Sequence, residues 1–210
     1  MYIPKSHRGL STTAAIAFAR KYSFATVSAI VSEQIEHVHI PIELEQKEEK
    51  LLLTSHIAKG NALTQAIIAG SAATVIFSQP HAYVSSSWYD HVNVPTWNYI
   101  SIQMRGTFRV LLANEMMAAL SQMVEKYESG RANRFQISDM SQEQLQAHLQ
   151  GLTAFELEVA DLEANYKLSQ NRNNQNYSAI IKQLQKSEYS WEREIAEEML
   201  LQRPTIKESK

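Results

Sequence analysis

Apolar positions recur along this chain with two periods, and the switches between them mark out its elements. Residues 11–22 are alanine-rich, with Ile16 and Ala19, and Phe18 and Tyr22, at helical spacing, which predicts a helix. From Ser23 the texture turns β-branched and alternating over 24–31 and again over 35–44. The short polar link Ser32, Glu33, Gln34 predicts a hairpin between them. Residues 50–55 read as a third strand, 61–69 as a short helix and 73–78 as another strand. The stretch 80–110 is dense in aromatics (Tyr83, Trp88, Tyr89, Trp97, Tyr99, Phe108) and poor in charge. Within it Ile100, Ile102 and Met104 alternate with Ser101, Gln103 and Arg105, a strand with one apolar face. Residues 114–127 predict a helix with Asn114 as N-cap and a stripe at Met116, Leu120, Met123, Val124 and Tyr127. Ser141 and Gln144 have capping-box spacing before a helix ending at Gly151. Phe155, Leu157 and Val159 return to strand alternation, 173–176 is a polar break, and 177–202 reads as one last helix.

This order of elements predicts an α+β fold, mainly antiparallel β, with peripheral helices. So many strands in roughly 140 residues favour a closed or partly closed barrel, because closure removes exposed edges. The expected organisation is a barrel domain over 1–172 with a helical insertion at about 114–151, then a C-terminal helical extension over 173–210. Residues 182–210 carry six basic and six acidic side chains with only a weak apolar stripe, which suits packing partly on another subunit. The six glycines (Gly9, Gly60, Gly70, Gly106, Gly130, Gly151) fall at expected element ends or strand interruptions. None forms a GxGxxG or GxxxxGKS loop, so Rossmann and P-loop nucleotide binding are excluded.

Charge and composition narrow the function classes. Of 210 residues, 44% are hydrophobic and 20% charged, an ordinary globular balance. Lys plus Arg number 20 against 22 Asp plus Glu, a net charge of -2, which argues against a chain built mainly to grip a phosphate backbone. Cysteine is absent, which removes disulfides, thiolate metal sites and thiol nucleophiles. The longest apolar run, 14–19, is too short to span a bilayer, and no signal-peptide pattern opens the chain, so a soluble cytoplasmic protein is expected. Six Glu within 32–50 against Lys47 and Lys50 read as solvated loops around an edge strand.

Five segments carry candidate chemistry. Residues 51–61 run an apolar strand into a helix start, with hydroxyls at Thr54 and Ser55, a cation at Lys59 and amides beyond Gly60. That grouping suits an anion; the plainer reading is that Asn61 caps a helix and Lys59 is a surface charge. His37 and His39 share one strand face but lack a third ligand, so no metal site is assigned. His81, Ser85, Ser86, Ser87, Asp90 and His91 hold hydrolase residue types without a Gly-x-Ser-x-Gly elbow, and no catalytic residue is assigned. Thr96, Trp97 and Asn98 combine an aromatic plane with hydrogen-bonding groups, which suits a flat heteroaromatic ligand, while composition alone favours a dimer interface or barrel core. Lys167, Gln170 and Arg172 could close over an anion or form an ordinary loop.

Five blocks, MYIP (1–4), SHIAKGN (55–61), PHAYVSSSWY (80–89), VPTWNY (94–99) and KLSQNR (167–172), follow one another in an order that resembles the PaiB family of FMN-binding negative transcriptional regulators. The resemblance covers roughly residues 1–185 and implies the FMN-binding split β-barrel, the fold of pyridoxamine phosphate oxidases and flavin reductases. It further implies a homodimer with flavin near the subunit interface. By that resemblance the turn from Thr54 through Ser55, His56 and Lys59 to Asn61 holds the flavin phosphate. Thr96, Trp97 and Asn98 approach the ring, and Gln170 and Arg172 close the site. Lys59 stands where the family more often carries Arg, which keeps the charge and loses the fork. The implied role is negative regulation of degradative-enzyme and sporulation-type genes, with the chain as a flavin or ligand sensor. The family label allows a DNA target, but the charge favours action through another protein. Two alternatives stay open: an FMN-dependent oxidoreductase with His56, His81 or Tyr83 as proton donor, and haem binding on the same scaffold through His37, His39 or His81.

Overall fold

The computed structural model describes residues 1–8 and 11–203. The expectation placed on Gly9 lies outside them, as does the end of the charged C-terminal segment. The chain divides into two compact units. One, here the sheet unit, comprises Ala19–Ile76 and Met104–Leu162; the other, the terminal unit, comprises Met1–Phe18, Phe77–Gln103 and Glu163–Lys210.

The elements in chain order are α1 (Thr12–Lys21), β1 (Phe24–Val31), β2 (Gln34–Pro41), β3 (Glu43–Lys47), β4 (Lys50–Ala58), α2 (Leu63–Ile68), β5 (Ala72–Phe77) and β6 (His81–Val84). They continue with β7 (Thr96–Val110), α3 (Ala113–Glu128), α4 (Gln142–Gln150), β8 (Leu152–Lys167), α5 (Asn174–Leu184) and α6 (Ser190–Gln202). α1, β5, β7 and β8 contribute residues to both units. The expected α+β class with a mainly antiparallel sheet is what is found.

In the sheet unit seven strands run in the order β2-β1-β5-β7-β8-β4-β3. The pairs β1–β2, β1–β5, β3–β4 and β4–β8 are antiparallel. β2 and β3 end the hydrogen-bonded order, so the sheet is not closed by hydrogen bonds among the described residues. The β1–β2 hairpin turns on Ser32 and Glu33, both at positive φ (50° and 65°), the geometry that follows the strands' twist. The single strand expected over 35–44 is two: after Pro41 the chain bends at buried Ile42, whose N–H donates to the Ser23 carbonyl at 2.8 Å. Alternation along β1 and β5 turns Ala25, Val27, Ala73 and Val75 inward, and α2 packs Leu63 and Ile67 against β1 and β2. Phe108 and Phe155 meet edge to face at 5.0 Å. A Cβ on Gly106 would stand 2.0 Å from the Glu158 carbonyl oxygen, so β7 and β8 come together where only glycine fits.

In the terminal unit β6 pairs antiparallel with the start of β7, His81 opposite Tyr99 and Val84 opposite Thr96. α5 and α6 pack on each other and α6 on β6, burying Tyr177, Ile180, Leu184, Ile195 and Met199. Three helix boundaries differ from expectation. Asn114 lies inside α3; the first-turn carboxylate of Glu115 accepts the Leu112 N–H at 2.9 Å and caps the helix instead. The polar run 173–176 is a helix start, because Asn173 Oδ1 accepts the Asn176 N–H at 2.9 Å. The single last helix is two, parted where the Ser187 hydroxyl accepts the Tyr189 N–H at 3.2 Å. Ser141 and Gln144 do form the expected capping box at α4.

Candidate functional site

Two cavities hold the residues that carry chemistry, one in each unit. In the sheet unit β4 delivers Thr54, Ser55 and His56 to a cavity of about 190 Å³ beneath α3, lined also by Glu43, Glu45, Gln122 and Met123. Strand alternation decides what each residue offers. Ser55 is buried and its hydroxyl donates to the Pro41 carbonyl at 2.6 Å, so it ties β4 to β2. Thr54 and His56 are half-buried. Burial lowers the His56 pKa, which keeps the imidazole neutral near pH 7. Glu43 is held by Lys126 at 2.8 Å and Glu45 by Lys47 at 3.2 Å.

Lys59 is exposed and does not line that cavity. Its N–H donates to the Gly151 carbonyl at 2.8 Å, and the Asn61 N–H to Ala58 at 2.9 Å. Asn61 Oδ1 accepts the Leu63 N–H at 2.9 Å. α2 is only six residues long, shorter than the 61–69 expected. The turn therefore directs several of its amides to protein acceptors, and Asn61 does the capping work of the plainer reading.

In the terminal unit a smaller cavity of about 110 Å³ is lined by His7, Thr96, Asn98, Lys167, Ser169, Asn171 and Arg172. Alternation at the start of β7 turns Thr96 and Asn98 to it and leaves Trp97 on the other side, 51% exposed. There Trp97 meets the rings of Tyr83 at 5.7 Å and His81 at 5.8 Å. Thr96 and Trp97 thus do not share a face. Lys167 Nζ donates to Thr96 Oγ1 at 2.8 Å and lies 5.9 Å from the Tyr99 ring centre. Asn98 is fully buried; its Oδ1 accepts the Ser169 hydroxyl at 2.9 Å and its amide nitrogen reaches Met199 Sδ at 3.4 Å. Ser169 takes a left-handed φ of 60° to make that bond.

Arg172 places its guanidinium 4.8 Å from the Tyr89 ring centre, and its buried Nε has no protein partner. His7 Nδ1 is likewise buried without a partner. Burial, joined by the Lys167 charge, lowers the His7 pKa against an opposing Asn165 hydrogen bond. Gln170 folds back on its own backbone, accepting the Leu168 N–H at 2.8 Å and donating to the Tyr166 carbonyl, and stays out of the cavity. His7, Ser169 and Asn171 were not singled out from sequence. Ser169 and Asn171 sit inside the KLSQNR block, whereas nothing local marks His7.

Elsewhere His37 and His39 meet at 6.1 Å, with His39 Nδ1 2.9 Å from Thr26 Oγ1. Among the described residues no three His, Asp or Glu gather as a metal set, and no helix is long and apolar enough to cross a membrane.

Residues 1–161 match the sequence family described as "Putative FMN-binding domain". The chain belongs to this FMN-binding family. Along 201 residues it is 38% identical to the protease synthase and sporulation protein PAI 2 of Bacillus subtilis, spanning 95% of this chain and 96% of that one. Its fold is similar to that of the FAD and haem binding protein of Mycobacterium smegmatis (TM-score 0.54, 18% identity, 75% of this chain and 71% of that one). It is also similar to the flavocytochrome Anf3 of Azotobacter vinelandii (TM-score 0.53, 12% identity, 74% and 67%). The fold is the flavin-binding split barrel, and FMN is the cofactor this family membership brings. The donor set of the terminal-unit cavity, an ammonium, a guanidinium, hydroxyls and amides, fits the anionic end of such a cofactor. The acid-lined cavity of the sheet unit does not.

Proposed function

We propose that this FMN-binding protein is a PaiB-type negative regulator, working as a flavin or ligand sensor that acts on gene expression through a protein partner. The observation that carries the reading is the 38% identity to PAI 2 along 95% of the chain, which extends past the 161 residues of the cofactor family. The likeness therefore takes in much of the terminal unit's C-terminal part as well as the cofactor fold. A net charge of -2 supports a protein partner over direct operator binding.

When bound, FMN supplies a ring that accepts and returns electrons, which a chain without cysteine lacks. Trp97, with Tyr83 and His81 beside it, is an exposed aromatic platform on the face of β7 away from the terminal-unit cavity. A homodimer is part of the proposal. Ile30 and Ile35 face each other across β1 and β2, 66% and 74% exposed, and border an apolar depression of about 350 Å³.

The test is a visible spectrum and light-scattering mass of the purified protein, followed by FMN titration and an NADPH turnover assay. Flavin bound by a dimer without turnover, and Trp97 fluorescence quenched on binding, support the reading. Sustained NADPH oxidation replaces it with an FMN-dependent oxidoreductase, and a Soret band on haem addition replaces it with a haem protein.

A further inference from the structure

Surface cations usually stand beside carboxylates, as Lys126 does with Glu43 and Arg109 with Glu115 and Glu156. The terminal-unit cavity departs from that pattern. No carboxylate lines it among the described residues, although two cations do. Among the described residues Lys167 has only the neutral Thr96 hydroxyl as hydrogen-bond acceptor. There Arg172 keeps a buried Nε with no acceptor, and His7 Nδ1 is buried with no partner of either kind. A buried guanidinium donor left unmet is uphill, and native proteins rarely tolerate one without a ligand or water to meet it.

The rest of the lining is rigid and neutral. Asn98, fully buried, is fixed from both ends by Ser169 and Met199. The cavity, about 110 Å³, is ample for a tetrahedral oxyanion.

We propose that Lys167 and Arg172, with Thr96, Asn98, Ser169 and His7 around them, form an oxyanion site that takes a phosphate group. A guanidinium and an ammonium converging without a competing carboxylate are the donors this anion asks for. The phosphate has two possible sources, the monoester end of FMN or a separate phosphate that binds whether or not flavin is present.

Calorimetry on the full chain separates them. FMN and riboflavin are titrated into flavin-free protein, and inorganic phosphate into the FMN-loaded protein. The variants are Lys167→Ala/Arg172→Ala and, in case that pair does not fold, Lys167→Gln, which keeps a hydrogen bond to Thr96. If the site holds the flavin's phosphate, the double variant weakens FMN by about tenfold or more and leaves riboflavin unchanged. If it holds a separate anion, FMN-loaded wild type binds inorganic phosphate and the variants do not. The proposal is overturned if phosphate binds neither form and the variants keep the wild-type ratio of FMN to riboflavin affinity. Loss of FMN discrimination in Lys59→Ala alone, with both Lys167 variants silent, overturns it too and moves the phosphate to the β4–α2 turn. Failure of the regulatory reading is separate, since it would leave these titrations unchanged.

Discussion

The two cavities of this chain are both lined by strand residues that include charged side chains, yet the signs of those charges are opposite. In the sheet unit Glu43 and Glu45 line the space, their partners are lysines, and His56 is kept neutral by burial. In the terminal unit Lys167 and Arg172 line it, and their partners are a hydroxyl and an aromatic face. The difference lies in which charges already have counter-charges, and that is a property of the folded chain.

The comparison is broken most completely by disrupting the sheet that carries the acidic cavity. Gly106→Val would drive its side chain into the Glu158 carbonyl and Leu157, and backbone cannot yield as a flexible side chain can. A loss of about 3 kcal/mol or more is expected, seen as a melting temperature lower by roughly 6–12 °C. A melt within 2 °C of wild type would mean that β7 and β8 can separate there without penalty. The next largest effect sharpens the other side. Asn98→Ala leaves the Ser169 hydroxyl buried without its acceptor and should destabilise by about 1–3 kcal/mol. Adding Ser169→Ala should recover part of that loss in a double-mutant cycle. Strict additivity would show that the Asn98–Ser169 pair does not hold the basic cavity in shape.

The periodic parts of this fold were legible from sequence because periodicity is local. The helix expected over 11–22 is found at 12–21, the hairpin of 24–31 with the strand after it forms, though the second strand stops at Pro41 rather than 44, and the apolar alternation at Ile100, Ile102 and Met104 is buried as expected. Boundaries failed where a polar side chain, rather than the apolar period, decides the cap, as Glu115 and Asn173 do. The site was legible by block and not by residue. Thr96, Asn98, Lys167 and Arg172 line one cavity, while Trp97 turns away by strand alternation and Gln170 folds back on its own backbone. Ser55 shows the limit most clearly. Its hydroxyl looks available in SHIAKGN, and only the β2 carbonyl of Pro41, fourteen residues away, shows that it is taken.

A smaller effect tests the acidic lining directly. Lys126→Ala removes the partner of Glu43, an ion pair 41% exposed on the lysine side, so about 0–1 kcal/mol is expected. A larger loss, measured by urea denaturation at low salt, would show that the cavity's acidity depends on that one lysine.

The smallest effect distinguishes the cavities through their histidines. Burial lowers the pKa of His56 in the sheet unit and of His7 in the terminal unit, below about 6.5 for the unfolded chain. Between the two pKa values the unfolded state binds the proton more readily. Each histidine's contribution to stability is therefore fully present above about pH 6.5 and is lost as pH falls through the folded value. Wild type should lose stability between pH 7 and pH 5, and His56→Gln and His7→Gln should each flatten that slope. Phosphate should separate the two variants. An anion beside Lys167 and Arg172 favours the charged imidazole of His7, raises its folded pKa and reduces its share of the slope. His56, among carboxylates in the other cavity, has no such response. Urea titrations of wild type and both variants, with and without inorganic phosphate, should then show His56→Gln still sensitive to phosphate and His7→Gln much less so. Equal phosphate sensitivity in both variants would mean that His7 does not feel the anion, and that the basic cavity draws its selectivity from Lys167 and Arg172 alone.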